Sequence, residues 1–113
     1  MKIIEPYVEV EVLDFLRLSK KLERIGRVAY KSEEKITPAS YEKFLKRIIS
    51  SGHESVIEHQ SITVKFIVDR GISHELARHR LSSFTQESTR YCNYSLGKFG
   101  NSITLIKPFF FKE

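Results

Sequence analysis

The chain has 113 residues, of which 41% are hydrophobic and 29% charged, and this composition is typical of one small globular domain and excludes a disordered or collagen-like chain. Its net charge of +5 favours phosphate-bearing partners, but the cationic residues are spread from Lys2 to Lys112, which argues against an arm that binds nucleic acid. The single cysteine, Cys92, excludes an internal disulfide, and the lack of a signal-peptide pattern or of an apolar run of about 18 residues predicts a cytoplasmic protein without a membrane span.

The first half of the chain is predicted to contain one strand and two amphipathic helices. Apolar and acidic residues alternate over Tyr7–Leu13, which indicates a half-buried strand. Apolar residues then recur at helical spacing from Phe15 to about Tyr30, with Glu23 among the charged residues outside that stripe. A second helix is predicted to begin at Thr37-Pro38 and to end at Gly52, which suits a left-handed C-terminal residue.

The second half is predicted to be more irregular. A strand over Ser61–Val68 is followed by a turn, and Ser73 is expected to cap a short helix that ends near Arg80 or Leu81. The stretch Ser82–Tyr94 is polar and irregular, and Ile103–Ile106 is a last strand or an extended segment. The predicted fold class is α+β (α/β), a single domain with a small antiparallel or mixed sheet against which amphipathic helices pack.

Two further expectations concern packing. Gly26, inside the first helix, either permits a close approach between elements or costs about 1 kcal/mol relative to alanine. Several aromatic residues occupy apolar-face positions and are predicted to lie in the core: Tyr7, Tyr30, Tyr41, Phe44 and Phe66.

The densest polar cluster follows the third predicted helix. Arg78-His79-Arg80 precede a run of hydroxyl-bearing residues from Ser82 to Arg90. Because arginine offers a planar fork of donors that matches phosphate oxygens, the cluster is a candidate anion site. A structural interpretation competes with it, since cations at a helix C-terminus interact favourably with the helix dipole by ~0.3–1 kcal/mol and need no ligand. From the chemistry alone, the structural interpretation is slightly favoured.

Two sequence blocks resemble those of the flavin-dependent thymidylate synthases. Arg78-His79-Arg80, then seven residues, then Ser88, is similar to the signature of that family, and the similarity continues through Ser88–Tyr91. Upstream, Ser51–Ser55 and Glu58-His59 are similar to a second block of the family at its usual distance. The resemblance extends from about Val10 to Lys107 and is strong because both blocks occur in order.

The resemblance implies an enzyme with a defined chemistry. Members of the family bind FAD and deoxyuridine monophosphate (dUMP), transfer a methylene group from methylenetetrahydrofolate to uracil C5, and use NADPH to reduce the flavin. They are homotetramers whose active sites draw on more than one subunit. The chain is thus expected to be a cytoplasmic flavoprotein of dTMP biosynthesis, a methyltransferase that forms homo-oligomers and has no membrane or nucleic acid partner.

The resemblance also assigns site residues. The positions similar to the family's FAD contacts are Ser55, Arg78, His79, Arg80 and Gln86, together with His53, where the family has a histidine near flavin and folate. The positions similar to its dUMP contacts are Glu75, Leu76, Ala77, Arg78, Gln86, Glu87, Ser88, Thr89 and Arg90.

The sequence gives little support for a protein nucleophile or a metal site. No catalytic residue is assigned, because Ser88 has no evident base to activate it as a nucleophile and is expected to bind substrate. Cys92 lies outside the signature and is interpreted as structural, although Arg90 nearby is of a kind that lowers a thiol pKa. No metal is expected, because His74 and His79 are five residues apart and point in different directions on a helix.

Family members are longer than this chain, so residues 1–113 are expected to form a family domain that lacks the C-terminal half. The exposed run Phe109–Phe111 is then expected to be covered by that half or by a partner chain. Two other functions stay open at this point. One is a non-catalytic FAD- or nucleotide-binding module, and the other, disfavoured because no basic-aromatic motif is found, is a nucleic-acid-binding domain.

Overall fold

The computed structural model describes residues 1–88, 94, 96–100 and 102–112 and combines short strands with three α-helices. The strands and α-helices are β1 (Lys2–Ile4), β2 (Tyr7–Val10), α1 (Phe15–Tyr30), α2 (Ser40–Ser50), β3 (Val64–Ile67), α3 (Arg70–Leu76) and β4 (Thr104–Ile106). Short 3-10 helices span Glu33–Lys35, Glu54–His59 and Gly97–Phe99. The predicted α+β class is confirmed, although the strands form two separate pairs rather than one sheet.

The chain divides into two compact units. Residues Val10–Thr63 form the helical unit, which contains α1 and α2. Residues Met1–Glu9 and Val64–Glu113 form the split unit, which contains α3 and most of the strand residues. The assignment of residues 1–113 to a single family domain stays a prediction.

Helix α1 has the bounds predicted from its apolar periodicity. It begins after Asp14, whose Oδ1 accepts a hydrogen bond of 3.0 Å from the Arg17 backbone N–H, as an N-cap carboxylate does. It ends at Lys31, which adopts the left-handed conformation with φ of 45° and donates its N–H to carbonyls of the last turn. Local capping at both ends therefore fixes the length of α1.

The core of the helical unit lies where α1 meets α2. Leu22, Phe44 and Ile48 are its buried apolar residues, each at most 5% exposed. A methyl group built at Gly26 would lie 2.7 Å from Phe44 Cε1, closer than carbon atoms approach in folded proteins. The first of the two interpretations of Gly26 is therefore correct, because the missing side chain lets the Phe44 ring reach the α1 backbone.

A buried ion pair adjoins this core, although Glu23 lies outside the predicted apolar stripe of α1. Glu23 is 1% exposed, and its Oε1 accepts hydrogen bonds of 2.9 and 3.2 Å from the Arg27 guanidinium. That guanidinium also lies 4.4 Å from the centre of the Phe44 ring. A carboxylate one turn from an arginine is tolerated at a buried position because its charge is compensated there.

Helix α2 begins later than Thr37-Pro38, at Ser40. The Ser40 hydroxyl accepts from the Thr37 N–H at 2.8 Å and donates to the Thr37 carbonyl at 3.0 Å, so these groups form a turn that precedes the helix. Gly52 follows the end of α2 with φ of 70°, which confirms the predicted left-handed stop. On the exposed surface of α2, a hydrogen bond and the charge of Lys46 lower the pKa of Glu42.

In the split unit, β1 pairs with β4 in a parallel register. Lys2 lies opposite Thr104 and Ile4 opposite Ile106. Strand β4 confirms the first alternative for the predicted Ile103–Ile106 segment, whereas β1 was not predicted. Three residues are too few to show an alternating pattern, and the pairing joins positions that are distant in sequence.

Strands β2 and β3 are shorter than the predicted Tyr7–Leu13 and Ser61–Val68. They run antiparallel. The Lys65 Nζ lies 3.6 Å from Glu9 Oε2, while the N–H of Glu11, which follows Glu9, donates to the carbonyl of Thr63, which precedes Lys65. All four residues of β2 are exposed, so the prediction of a half-buried strand is wrong.

Most of the aromatic residues expected in the core are also more exposed than predicted. Phe44 is buried and Tyr41 is half-buried, but about half of the surface of the other three is exposed, namely Tyr7, Tyr30 and Phe66. Tyr7 and Phe66 lie in the β2–β3 pair, and Tyr30 lies at the end of α1. At these positions few neighbouring residues pack against the aromatic ring, so much of its surface stays exposed.

Candidate functional site

The candidate anion site begins at the end of α3, which starts and ends earlier in the chain than predicted. Asp69, not Ser73, caps this helix: its Oδ1 accepts from the N–H groups of Gly71 at 2.8 Å and Ile72 at 3.2 Å. The Ser73 hydroxyl instead donates to the Arg70 carbonyl at 3.0 Å. Aspartate is a preferred N-cap residue, so the sequence contained this signal.

The cationic segment Arg78-His79-Arg80 lies beyond the last turn of α3, not within it. The Arg78 N–H donates to the Glu75 carbonyl at 3.2 Å and the His79 N–H to the Leu76 carbonyl at 3.0 Å, so a tight turn leads into the segment. All three side chains of the segment are exposed. Within the described residues, neither arginine side chain has an ion-pair or hydrogen-bond partner.

These observations bear on the two interpretations of the cluster. Both arginines stand near the C-terminal end of α3, where the helix dipole favours cations, so the structural interpretation accounts for their position. However, no described Asp or Glu side chain pairs with the guanidinium N–H groups of Arg78 and Arg80, so these exposed groups are available to bind an anion. The geometry is therefore compatible with phosphate binding.

A shallow concavity of about 300 Å³ adjoins the segment within the split unit. Three residues of the predicted site contribute to its lining, namely Glu75, Leu76 and His79, and the rings of Phe109 and Phe110 close one side. The two phenylalanine rings meet edge to face at 5.5 Å. The lining is largely apolar, which suits a ring-bearing ligand more than a bare anion.

Asp69 also lines this concavity and was not among the predicted site residues. Its Oδ1 caps α3, whereas its Oδ2 is buried and has no hydrogen-bond partner among the described residues. Because an unsatisfied buried oxygen is costly, this atom is a candidate acceptor for a donor group of a ligand.

The hydroxyl-rich segment is described as far as Ser88. The Gln86 Nε2 donates to the Ser73 carbonyl at 3.3 Å, which places Gln86 against α3. Ala77 and Glu87 are exposed and Ser88 is half-buried. The predicted site residues Thr89 and Arg90, and also Cys92, lie outside the described residues.

The remaining predicted residues, His53 and Ser55, belong to the helical unit. Ser55 is exposed in the 3-10 helix Glu54–His59. His53 precedes that helix, and its Nδ1 lies 2.9 Å from the Tyr30 hydroxyl, with the two rings stacked at 6.5 Å. Tyr30 was expected in the core, and the sequence contains no signal for this contact because the two residues belong to different elements.

The described residues contain neither a cluster of metal ligands nor a membrane-spanning helix. No group of three or more histidine, cysteine, aspartate or glutamate side chains in this part of the chain is placed to hold a metal ion. Across the same residues, no helix has both the length and the apolar character that crossing a membrane requires.

The fold and the exposed cationic segment define an α+β protein with a candidate phosphate-binding loop. Comparison with known proteins makes this specific: a model of the family described as thymidylate synthase complementing protein matches residues 11–111, and the chain belongs to that family.

Individual relatives are similar over a shorter region. Proteins named flavin-dependent thymidylate synthase match from Pyrococcus horikoshii (48% identity over 59 residues), Geobacter sulfurreducens (42% over 62) and Clostridium tetani (48% over 61). These alignments cover 51%, 54% and 53% of this chain but 24%, 27% and 22% of the relatives, so they span about a quarter of the relatives' length. No solved structure matches the chain.

Proposed function

We propose that the chain acts in flavin-dependent thymidylate synthesis, the reductive methylation of dUMP to dTMP with methylenetetrahydrofolate and NADPH. The observation that carries this proposal is the family match over residues 11–111, which includes both sequence blocks. The exposed Arg78-His79-Arg80 segment supports it, because its donors are free of internal acids among the described residues. A homotetramer in the cytoplasm is part of the same proposal.

The donor set fits a phosphate-bearing flavin. When bound, FAD supplies hydride chemistry for which protein side chains have no equivalent. The proposed flavin contacts are His53, Ser55, Arg78, His79, Arg80 and Gln86. In this assignment the cations Arg78 and Arg80 bind and orient phosphate groups, while the hydroxyl and amide groups of Ser55 and Gln86 add directional hydrogen bonds.

The same segment is proposed to position dUMP. The contacts are assigned to Glu75, Leu76, Ala77, Arg78 and the run Gln86–Arg90. Leu76 and His79 line the apolar concavity, and Ser88 donates to the substrate phosphate. No side chain of the chain is assigned as a nucleophile, because an activated serine requires an adjacent base.

Thermal denaturation with FAD and with dUMP tests the proposal. A ligand that binds only the folded state raises the melting temperature. At a concentration one hundred times its Kd, such a ligand increases the free energy of unfolding by about 2.7 kcal/mol. We expect at least one of the two ligands to stabilise the chain and Arg78→Ala to reduce that stabilisation. Arg70→Ala is the matched control, because Arg70 is an equally exposed arginine at the other end of α3.

The outcomes separate the candidate functions. Stabilisation by FAD together with dUMP-dependent NADPH oxidation supports the enzyme, whereas FAD binding without turnover favours a non-catalytic nucleotide-binding module. A colourless protein that ignores both ligands, and that binds oligonucleotides with a steep salt dependence, contradicts the proposal and favours a nucleic-acid-binding domain.

A further inference from the structure

The helical unit has a concavity of its own beside the N-terminal part of α1, with a volume of about 490 Å³. Three cationic side chains line it: Arg17, Lys21 and Arg24. Residues spaced by four and by three lie on one face of a helix, because each residue turns about 100°. The three charges therefore form a ladder along one face of α1, which we name the α1 ladder.

The charge of the α1 ladder is not neutralised within the described part of the chain. Helix α1 has one carboxylate, Glu23, and this group is already paired with Arg27. Asp14 is the acid among the described lining residues, and its Oδ1 is engaged with the Arg17 backbone N–H at the helix cap. In the described structure, the guanidinium groups of Arg17 and Arg24 have no ion-pair or hydrogen-bond partner.

The middle cation is held in place before any ligand arrives. The Lys21 Nζ donates to the His59 carbonyl at 3.0 Å and to Gln60 Oε1 at 3.1 Å. The Gln60 amide is itself fixed, because its Nε2 donates to the Ser61 carbonyl at 2.7 Å. An ammonium group has three donors, so one Lys21 donor is left for an anion, and the side-chain entropy of lysine is already largely lost.

We propose that the α1 ladder binds an anion that contains two or more linked phosphate groups. The backbone positions of Arg17 and Arg24 are about 10 Å apart along the helix axis. A phosphate chain lying along α1 therefore matches the two guanidinium groups and the lysine between them better than a single phosphate does. Arginine at each end offers bidentate contacts to terminal phosphates, and Lys21 between them acts as a point charge. The concavity is of the size that small-molecule sites have, which favours a free polyphosphate compound over a long polymer.

Titration calorimetry of the full chain with inorganic tripolyphosphate at low ionic strength tests this proposal. We expect saturable binding, and binding of inorganic phosphate that is weaker by about tenfold or more, because fewer charge-assisted hydrogen bonds form. The variant Arg17→Gln/Arg24→Gln is expected to lose about tenfold or more in affinity for the same reason. Lys20→Gln/Lys43→Gln removes the same net charge from exposed helical positions outside the concavity and is expected to change the affinity little.

Backbone amide shifts in NMR spectra of the wild-type chain locate the ligand without any variant. Shifts concentrated at residues 12–24 and 60 support the proposal. If the affinity for tripolyphosphate falls equally in both double variants, the attraction is non-specific and the proposal is overturned. The proposal is also overturned if Arg78→Ala loses the affinity for tripolyphosphate and Arg17→Gln/Arg24→Gln retains it. Binding of single-stranded oligonucleotide at these residues without competition by tripolyphosphate also overturns it, in favour of a nucleic acid partner. None of these results depends on FAD or dUMP binding, so the proposed function is tested separately.

Discussion

Tyr30 and His53 form a hydrogen-bonded, stacked pair at the surface of the helical unit, with 2.9 Å between the tyrosine hydroxyl and His53 Nδ1. A fixed partner at one ring nitrogen selects the histidine tautomer and leaves the other nitrogen in a defined role. If His53 works near flavin and folate as proposed, then Tyr30 positions it, and the orientation of the imidazole depends on a residue outside both sequence blocks.

Replacing Tyr30 by phenylalanine tests this dependence. The ring stacking remains while the hydroxyl is lost, so we expect the His53 ring-nitrogen shifts in NMR spectra to move toward those of an imidazole with mixed tautomers. Tyr41→Phe removes a hydroxyl from a half-buried tyrosine on α2 and serves as the control. Unchanged His53 shifts in Tyr30→Phe would show that the hydrogen bond does not set the tautomer.

The buried Glu23–Arg27 pair leads to a prediction about stability. Arg27→Met leaves the Glu23 carboxylate buried at 1% exposure without its partner, which should lower the free energy of unfolding by about 3–5 kcal/mol. Replacing both residues, as Glu23→Leu/Arg27→Met, should cost clearly less than the single change, because no unpaired charge remains. Urea denaturation measures both values.

The exposed pair on α2 provides the contrast for this experiment. Lys46→Met removes the partner of Glu42, which is solvated, so its effect on the denaturation midpoint should be much smaller than that of Arg27→Met. If Lys46→Met and Arg27→Met change the denaturation midpoint equally, burial does not make the Glu23–Arg27 pair important for stability.

Single residues show where sequence reasoning succeeds. The exposure of Arg78 and Arg80 was predictable, because two arginines beside a polar loop have no apolar surface to cover. The burial of Glu23 was not predictable from periodicity, since its compensation depends on Arg27 and on the nearby Phe44 ring.

Helices α1 and α2 pack through the contact between Gly26 and Phe44, and the ring has little room to move. The Arg27 guanidinium lies 4.4 Å from the ring centre and that of Arg47 lies 5.5 Å from it, while Phe44 is only 3% exposed. The approach of the two helices is therefore set by the absence of a side chain at one position of α1.

Gly26→Ala is expected to destabilise the chain. Alanine gains about 1 kcal/mol in helix propensity over glycine, but overpacking a core costs about 1–3 kcal/mol. Because the new Cβ would lie 2.7 Å from Phe44 Cε1, we expect a cost near the upper end of that range. Thermal unfolding measures the net loss. In a Phe44→Leu background the same substitution should cost less or become stabilising, and Gly97→Ala, which meets open space, should be nearly neutral.

Elements differ in how well their bounds followed from sequence. Local signals defined α1 and the end of α2, because caps and a left-handed glycine act over a few residues. The strands were predicted too long, since the length of a strand depends on its pairing partner, and β1 was missed because that partner is about a hundred residues away. The start of α3 was misplaced because two residues, Asp69 and Ser73, were both suitable caps.

The molecule as a whole exposes an apolar run at Phe109–Phe111, whose side chains are 76%, 67% and 64% exposed. A contiguous apolar cluster of this kind marks a contact site. The proposed homo-oligomer accounts for such a cluster, and the position of Phe109 and Phe110 at the candidate concavity would bring a second subunit to the ligand.

Phe109→Ser/Phe110→Ser is therefore expected to weaken self-association. Burial of a phenylalanine contributes about 1.5–3 kcal/mol, so losing two should shift the association midpoint by at least tenfold in concentration. Sedimentation velocity measures this shift, and Phe15→Ser/Phe66→Ser, which removes two other exposed phenylalanines, is the control. A wild-type chain that remains monomeric at high concentration would refute the prediction.

The parallel pairing of β1 with β4 has a consequence for biosynthesis. The hydrogen-bonding partners of Lys2–Ile4, at Thr104–Ile106, are translated about a hundred residues after them. Residues Val10–Thr63 are contiguous, so their contacts can form while translation continues, and such segments fold early during synthesis. Lys2–Ile4 consequently stay an unprotected strand edge until Thr104–Ile106 have been synthesised, and slower elongation lengthens the period in which chaperones or proteases can bind that edge.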